Sequence, residues 1–476
     1  MASRPGRAAP PHRPPLPIEP LPRRYGLGWF RNRLDEVART SPARLALSIF
    51  FSVVVLFTGL LSLPVATASG RRAPFADALF TATSAVCVTG LSTVDIARYW
   101  SGFGLVVVLV GMKVGGLGVL TLASLLGLAI SRRLGLRQRL MAASETKALR
   151  LGEVGTLLRL IVMVSTSVEL GVAVVLFPRF LVLGETVAGA AWHSVFYAVS
   201  AFNNVGFSAH PGGLPAETAG DPWVAVPLMV GVFAGSLGFP VLLMLKRTLR
   251  PSRWDLHTRL TLQTTLLLLV GAIVLIGGLE WRNPQTLGGL HGGTKALATV
   301  FTAVMPRSGG MSVVDVGQMH EATWLVTDAL MFVGGGSAST AGGIRVTTLA
   351  VIVLAMVAEA RGDADVEVGR RRIPTGSLRV AVSVAMAGAT MVGAATVVML
   401  TLTGLSLDVV LLEVISAFAT CGLSTGITPD LPEPAKYVLV AVMFLGRTGT
   451  TTLAGALALR ERSKLFRLPE ERPIVG

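Results

Sequence analysis

The sequence predicts an all-α integral membrane protein made of four tandem helix–pore helix–helix repeats, with fourfold pseudosymmetry around one ion pore. Three observations carry that expectation. First, 52% of the 476 residues are hydrophobic and only 14% are charged, against about 25% charged in soluble domains. Second, Leu45 to Val65, Leu260 to Leu279 and Val380 to Leu407 contain no Asp, Glu, Lys or Arg. Each is long enough to cross about 30 Å of hydrocarbon at about 1.5 Å per residue. Third, the motif Gly-[Leu/Phe/Met]-Ser occurs as Gly90-Leu91-Ser92, Gly206-Phe207-Ser208, Gly310-Met311-Ser312 and Gly422-Leu423-Ser424. Near-equal spacing of about 110 residues marks one unit copied around an axis. Re-entrant backbone meeting at one axis is how a cation filter is built.

The elements follow in order. Residues 1–44 read as a Pro- and Arg-rich cytoplasmic arm. Its prolines, from Pro5 to Pro22, keep the first half from forming a helix. No cleavable apolar leader is expected. The first repeat, 45–130, reads as an outer helix near 45–66, a pore helix near 74–86 and an inner helix near 102–130. The second, 131–245, gives 156–183, 190–203 and 223–245. The third, 246–357, gives 258–280, 294–306 and 322–357. The fourth, 358–459, gives 378–405, 408–420 and 437–459, before a cytoplasmic tail at 460–476. The pore segments are too short and too polar to span. Because each repeat crosses twice, all four motifs face the same way. Inverted-repeat transporters differ in this respect.

The net charge is +15, and its distribution is informative. Basic residues cluster in alternate connections: Arg132, Arg133, Arg137 and Arg139; Lys246, Arg247, Arg250 and Arg253; Arg370, Arg371 and Arg372; Arg460, Arg462, Lys464 and Arg467. Leu183 to Asp221 contains no Lys or Arg. This is the positive-inside pattern. It places both termini in the cytoplasm and the Gly-x-Ser motifs on the outer side. A nucleic-acid partner is excluded, since a basic face needs a soluble fold to present it. Cys87 and Cys421 read as small buried thiols rather than a disulfide.

Stripping water from a cation is costly, and a ring of carbonyl oxygens replaces that water without full charges. Aiming carbonyls inward demands unusual backbone angles, which glycine reaches at little steric cost. The candidate filter strands are Val88-Thr89-Gly90, Asn204-Val205-Gly206, Ser308-Gly309-Gly310 and Thr420-Cys421-Gly422. Pore helices ahead of them point their negative C-terminal dipole ends at the ion.

Over about residues 40–465 the sequence resembles the Trk/Ktr/HKT superfamily of potassium transporters, and within it the Ktr-type membrane subunit. The segments that carry the resemblance are 84–92, 200–208 and 416–426. It implies potassium uptake across the bacterial plasma membrane through one pore per chain, with K⁺ held only at the filter and Na⁺ as an activator of some members. It also implies a homodimer docked on a cytoplasmic ring of regulatory subunits that bind ATP/ADP or NAD. No cofactor is expected in this chain itself. An alternative from the residues alone is a cation-coupled secondary solute carrier.

Residues Gly334, Gly335, Gly336, Ser337, Ala338, Ser339, Thr340, Ala341, Gly342 and Gly343 interrupt the third inner helix. So many glycines hold a helix poorly, and irregular backbone at membrane depth survives only inside protein or beside a wet cavity. The stretch resembles the family's intramembrane gate loop. Arg447 lies near the middle of its helix, where an arginine needs a cavity or a partner. The resemblance has it facing the cavity and meeting the loop. Glu169 is also deep, with no partner evident in sequence. Glu413 either adds negative potential near the filter or hydrogen-bonds its own pore helix. The sequence departs from the family pattern at Ser308-Gly309-Gly310-Met311, where Thr-Ala-Gly-Phe is common, and at Lys113, Val346 and Thr450. Lys113 either hinders cations from the cavity wall or snorkels harmlessly. No His/Cys/Asp/Glu group has metal-ligand spacing; His193, His210, His257, His291 and His320 read as scattered single contacts. No enzyme activity is expected.

Overall fold

A computed structural model describes residues 42–118, 151–215, 218, 220–368 and 371–458. The expected N-terminal arm, the basic cluster at 132–139, the end of the first inner helix and the C-terminal tail fall outside these residues, apart from the first helical turn beginning at Pro42. The chain divides into two units, Met1–Leu45 and Ala46–Gly476. The second holds all four Gly-x-Ser motifs.

Helix α1 (Pro42–Leu61) ends three residues before Pro64, because the residue preceding proline disfavours helix. Then follow α2 (Phe75–Cys87), the single turn α3 (Ile96–Tyr99) and α4 (Gly102–Gly116). Ser101 starts α4 by accepting a hydrogen bond from the Gly104 N–H at 3.2 Å. Next come α5 (Leu151–Val182), α6 (Val187–Phe202), α7 (Pro222–Leu237) and α8 (Phe239–Arg247). Thr186 caps α6 through Gly189, and Asp221 caps α7 through Trp223. Beyond them lie α9 (Leu256–Glu280), α10 (Gly292–Val304), α11 (Glu321–Val333) and α12 (Val346–Arg361). A two-residue antiparallel pair, β1 (Glu367–Val368) and β2 (Arg371–Arg372), sets Val368 opposite Arg371. Helices α13 (Thr375–Thr403), α14 (Leu407–Phe418) and α15 (Glu433–Ala458) complete the order.

The short pore segments α2, α6, α10 and α14 form close to the expected positions. The second inner helix does not run unbroken over 223–245. It breaks at Gly238, where φ is +93°, and bends by 103°. Gly238 is followed by Phe239 and Pro240, and a proline in the first turn starts a new helix rather than continuing an old one. The repeat pattern predicts eight spans. Among the described residues, Arg159–Val182, Leu256–Glu280 and Thr375–Thr403 are long and apolar enough to cross a membrane alone, and the bent pair α7–α8 makes a fourth. Helices α11 and α12 are two halves of one predicted span, separated by the glycine loop.

Burial is distributed as a membrane protein requires. The pore segments carry buried hydroxyls such as Thr81, Ser84, Ser200 and Ser416, while Leu56, Leu170, Leu267, Val274, Leu325 and Met386 face outward. Large apolar side chains on the perimeter suit a lipid surrounding rather than water.

Candidate functional site

The four motif glycines meet. A methyl group added to Gly206 would lie 2.6 Å from the Gly310 Cα, and one on Gly422 would lie 3.1 Å from the Gly90 Cα. One on Gly90 would overlap the Val205 carbonyl, and one on Gly310 the Cys421 carbonyl. The four backbones therefore close a ring in sequence order. The backbone repeats as well. Val88, Asn204, Ser308 and Thr420, each two residues before its glycine, have φ of 62°, 59°, 67° and 48°. The glycines follow at 89°, 90°, 66° and 98°. Left-handed angles at β-branched Val88 and Thr420 are uncommon and persist only where the surroundings impose them. The carbonyls of Thr89, Val205, Gly309 and Cys421 border the neighbouring glycines.

Each motif position has a separate task. The middle residues Leu91, Phe207, Met311 and Leu423 are buried anchors. The serine closes the turn beyond the glycine. Its hydroxyl accepts the N–H two residues on in every copy: Val94 to Ser92, His210 to Ser208, Val314 to Ser312 and Gly426 to Ser424, at 2.9–3.3 Å. The hydroxyls of Ser84 and Ser416 accept from the N–H of Gly90 and Gly422, at 3.0 and 3.1 Å. Ser200 instead donates to the Phe207 carbonyl at 2.9 Å. Val304 stands at the matching position of the third copy, so that segment lacks this strap.

On one side of the ring opens a cavity of about 630 Å³, walled by the four glycines and by Ser92, Ser208, Ser312 and Ser424 among others. The loop 334–343 lies on the other side. Thr340 donates to the Asn204 side chain at 2.9 Å and to the Phe202 carbonyl at 3.2 Å. The Gly342 N–H donates to Ser308 at 3.3 Å. A side chain at Gly342 would overlap the Ala419 carbonyl, so this small-residue run lets the loop press against three of the four motif segments. The Phe239 N–H donates to the Ala338 carbonyl at 3.3 Å, so the break between α7 and α8 also meets the loop.

Arg447 is buried and donates to the carbonyls of Thr340, Ala341 and, across on α4, Gly115. Two further buried arginines lie outside the residues that sequence reasoning selects. Arg345, at φ +82°, donates to Gly336, Ser339 and Ala341. Arg307 sits directly before the third glycine segment and donates to Thr265 and to the Gly334 carbonyl. Both adjoin segments already identified, and an arginine inside an apolar run is the signal that could have found them.

Lys113 is paired with a buried carboxylate. Its ammonium meets Glu169 at 2.6 Å and Ser165 at 2.5 Å. Glu169 also accepts from Asn203 at 2.8 Å, which ties the pair to the end of α6. Glu413 accepts from Ser424, from the Thr425 N–H at 3.2 Å and from Thr428 at 3.0 Å. It fastens the turn beyond Gly422. Cys87 and Cys421 are free and buried. The histidines are not all scattered: Glu185, His193 and His210 bring their ligand atoms within 4.8 Å of one another. Sequence spacing hides this because the three come from a loop, a helix and a post-filter turn.

Helices with apolar perimeters, enclosing a ring of re-entrant backbone, define a membrane transport protein. The chain belongs to the TrkH family of cation transport proteins, whose family model matches residues 29–467. It is 36% identical over 450 residues to the Ktr system potassium uptake protein B of Bacillus subtilis, covering 94% of this chain and 99% of that protein. It is also 36% identical over 445 residues to the protein of the same name from Vibrio alginolyticus, covering 93% and 96%. In fold it is similar to the potassium transporter TrkH of Vibrio parahaemolyticus, with a TM-score of 0.64 at 18% identity over 86% of this chain and 84% of that one.

Proposed function

We infer that this chain takes up potassium through a gated, carbonyl-lined pore, as the membrane subunit of a Ktr-like system. The observation that carries the reading is the ring of four glycines, each preceded two residues earlier by a left-handed residue. Carbonyls of Thr89, Val205, Gly309 and Cys421 then replace the ion's water. The hydroxyls of Thr89 and Thr420 are buried without a hydrogen-bond partner among the described residues, and an unpaired oxygen beside such a ring suits a dehydrated cation. K⁺ is cargo here, and no resident cofactor is invoked.

The gate in this reading is Gly334 to Gly343, held under the filter by Arg447, whose charge also repels cations. The chain sits in the plasma membrane with both termini in the cytoplasm, following the basic clusters. Two copies assemble, each with its own pore, on a cytoplasmic ring that binds ATP/ADP or NAD, and sodium stimulates uptake. The nucleotide moves the loop by preferring one of its two positions. Uptake of radiolabelled rubidium into proteoliposomes tests the core of this. Uptake that potassium competes away supports it. Uptake that follows an organic solute and ignores potassium refutes it.

A further inference from the structure

The cluster of Glu185, His193 and His210 lies beside the second filter segment and has no part in the gate or the ring. Glu185 divides its carboxylate between the two rings: Oε2 meets His193 Nδ1 at 2.6 Å and Oε1 meets His210 Nε2 at 3.0 Å. The rings themselves are 4.1 Å apart, centroid to centroid. All three side chains are about one-fifth exposed, so the cluster is not sealed within the protein. Leu183 to Asp221 contains no lysine or arginine, and no fixed cation on this stretch competes for the site.

We propose that Glu185, His193 and His210 bind a zinc-class divalent transition-metal ion beside the outer mouth. Two imidazoles and a carboxylate, with the remaining position left to water, are an ordinary donor set for zinc. Ligand atoms around a tetrahedral zinc stand about 3.3 Å apart, from bond lengths of about 2.0–2.1 Å. The Glu185–His separations of 2.6 and 3.0 Å are shorter than this, and all three ligand atoms lie within 4.8 Å of one another, so an ion would spread the carboxylate from the rings.

The outer partner is already in place. Tyr197 Oη lies 2.7 Å from His210 Nδ1 and stacks on that ring at 19°. It also lies 2.7 Å from Ser208 Oγ, the motif serine on the cavity wall. Without metal, His210 Nε2–H donates to Glu185, and Nδ1 accepts from the Tyr197 hydroxyl. With metal on Nε2, the ring proton moves to Nδ1 and donates to Tyr197, which then donates to Ser208. The bound ion thus reverses a hydrogen-bond chain ending on the second filter segment. On the proposed transport reading, external zinc changes ion flux through this chain of bonds.

The test is calorimetric titration of zinc into the purified full-length protein. About one zinc per chain is expected, weakened at least tenfold in Glu185→Gln, His193→Gln and His210→Gln, and weakened about tenfold in Tyr197→Phe. His257→Gln should leave binding unchanged. Zinc should also shield the wild-type histidines from diethylpyrocarbonate, a readout independent of any variant's folding. Equal zinc binding by wild type and the His193→Gln/His210→Gln double variant, or no shielding, overturns the site. Zinc binding that leaves rubidium flux unaltered overturns the coupling to the filter. Absent rubidium flux in zinc-free wild type would instead count against the transport reading.

Discussion

Arg447→Gln should open the pore in the absence of any regulator. The guanidinium donates to the Thr340 and Ala341 carbonyls of the loop and to Gly115 on α4. Glutamine is shorter and neutral, and cannot reach the loop and α4 together. A hydrogen bond from a charged donor contributes about 1.5 kcal/mol at the low end of its range. Two such bonds to the loop hold it by about 3 kcal/mol, or about a hundredfold in the closed-to-open ratio. The change also removes a buried positive charge that opposes a permeating cation. Basal rubidium flux into proteoliposomes, without partner subunits, should rise by about ten- to a hundredfold, saturating once the loop is mostly displaced. Arg447→Lys keeps the charge but not the forked geometry and should fall between. A well-folded Arg447→Gln protein conducting at the wild-type basal rate would refute the reasoning and move the gate elsewhere.

Gly206→Ala and Gly310→Ala should each lower rubidium uptake at least tenfold with normal membrane insertion. Both sites have left-handed φ and face another repeat's backbone, so uptake at the wild-type level would exclude them from the conduction path. Lys113→Met strands Glu169 as a lone buried carboxylate. It should cost about 3 kcal/mol, near the low end for a broken buried pair, and the Lys113→Met/Glu169→Met double variant should recover most of that in detergent unfolding. Ser92→Ala removes one post-filter turn bond and should cost about 1 kcal/mol, read as a lower thermal midpoint with uptake retained.

Local features of this protein are legible in its sequence. The glycine motif can be read because its cause is local: a left-handed backbone, an apolar anchor and a serine-closed turn within a few residues. The short pore segments can be read because they are too short and too polar to span. The loop at 334–343 announces itself by side-chain size alone. What the sequence does not disclose depends on residues far apart in the chain. Lys113 finds Glu169 across 56 positions. The loop finds Asn204 and Ser308 through folding of separate repeats. Glu185, His193 and His210 converge only once the turn beyond Gly206 is formed. The break at Gly238 is present as Gly-Phe-Pro but is outweighed by the apolar run around it.

In the proposed pore, four equivalent carbonyls hold a dehydrated potassium ion. This is tested most directly by locating thallium, a potassium mimic, by anomalous diffraction from crystals of the protein. A peak is expected among the carbonyl oxygens of Thr89, Val205, Gly309 and Cys421, diminished when potassium is added back. A peak confined to another part of the molecule, with none at the glycine ring, would contradict it.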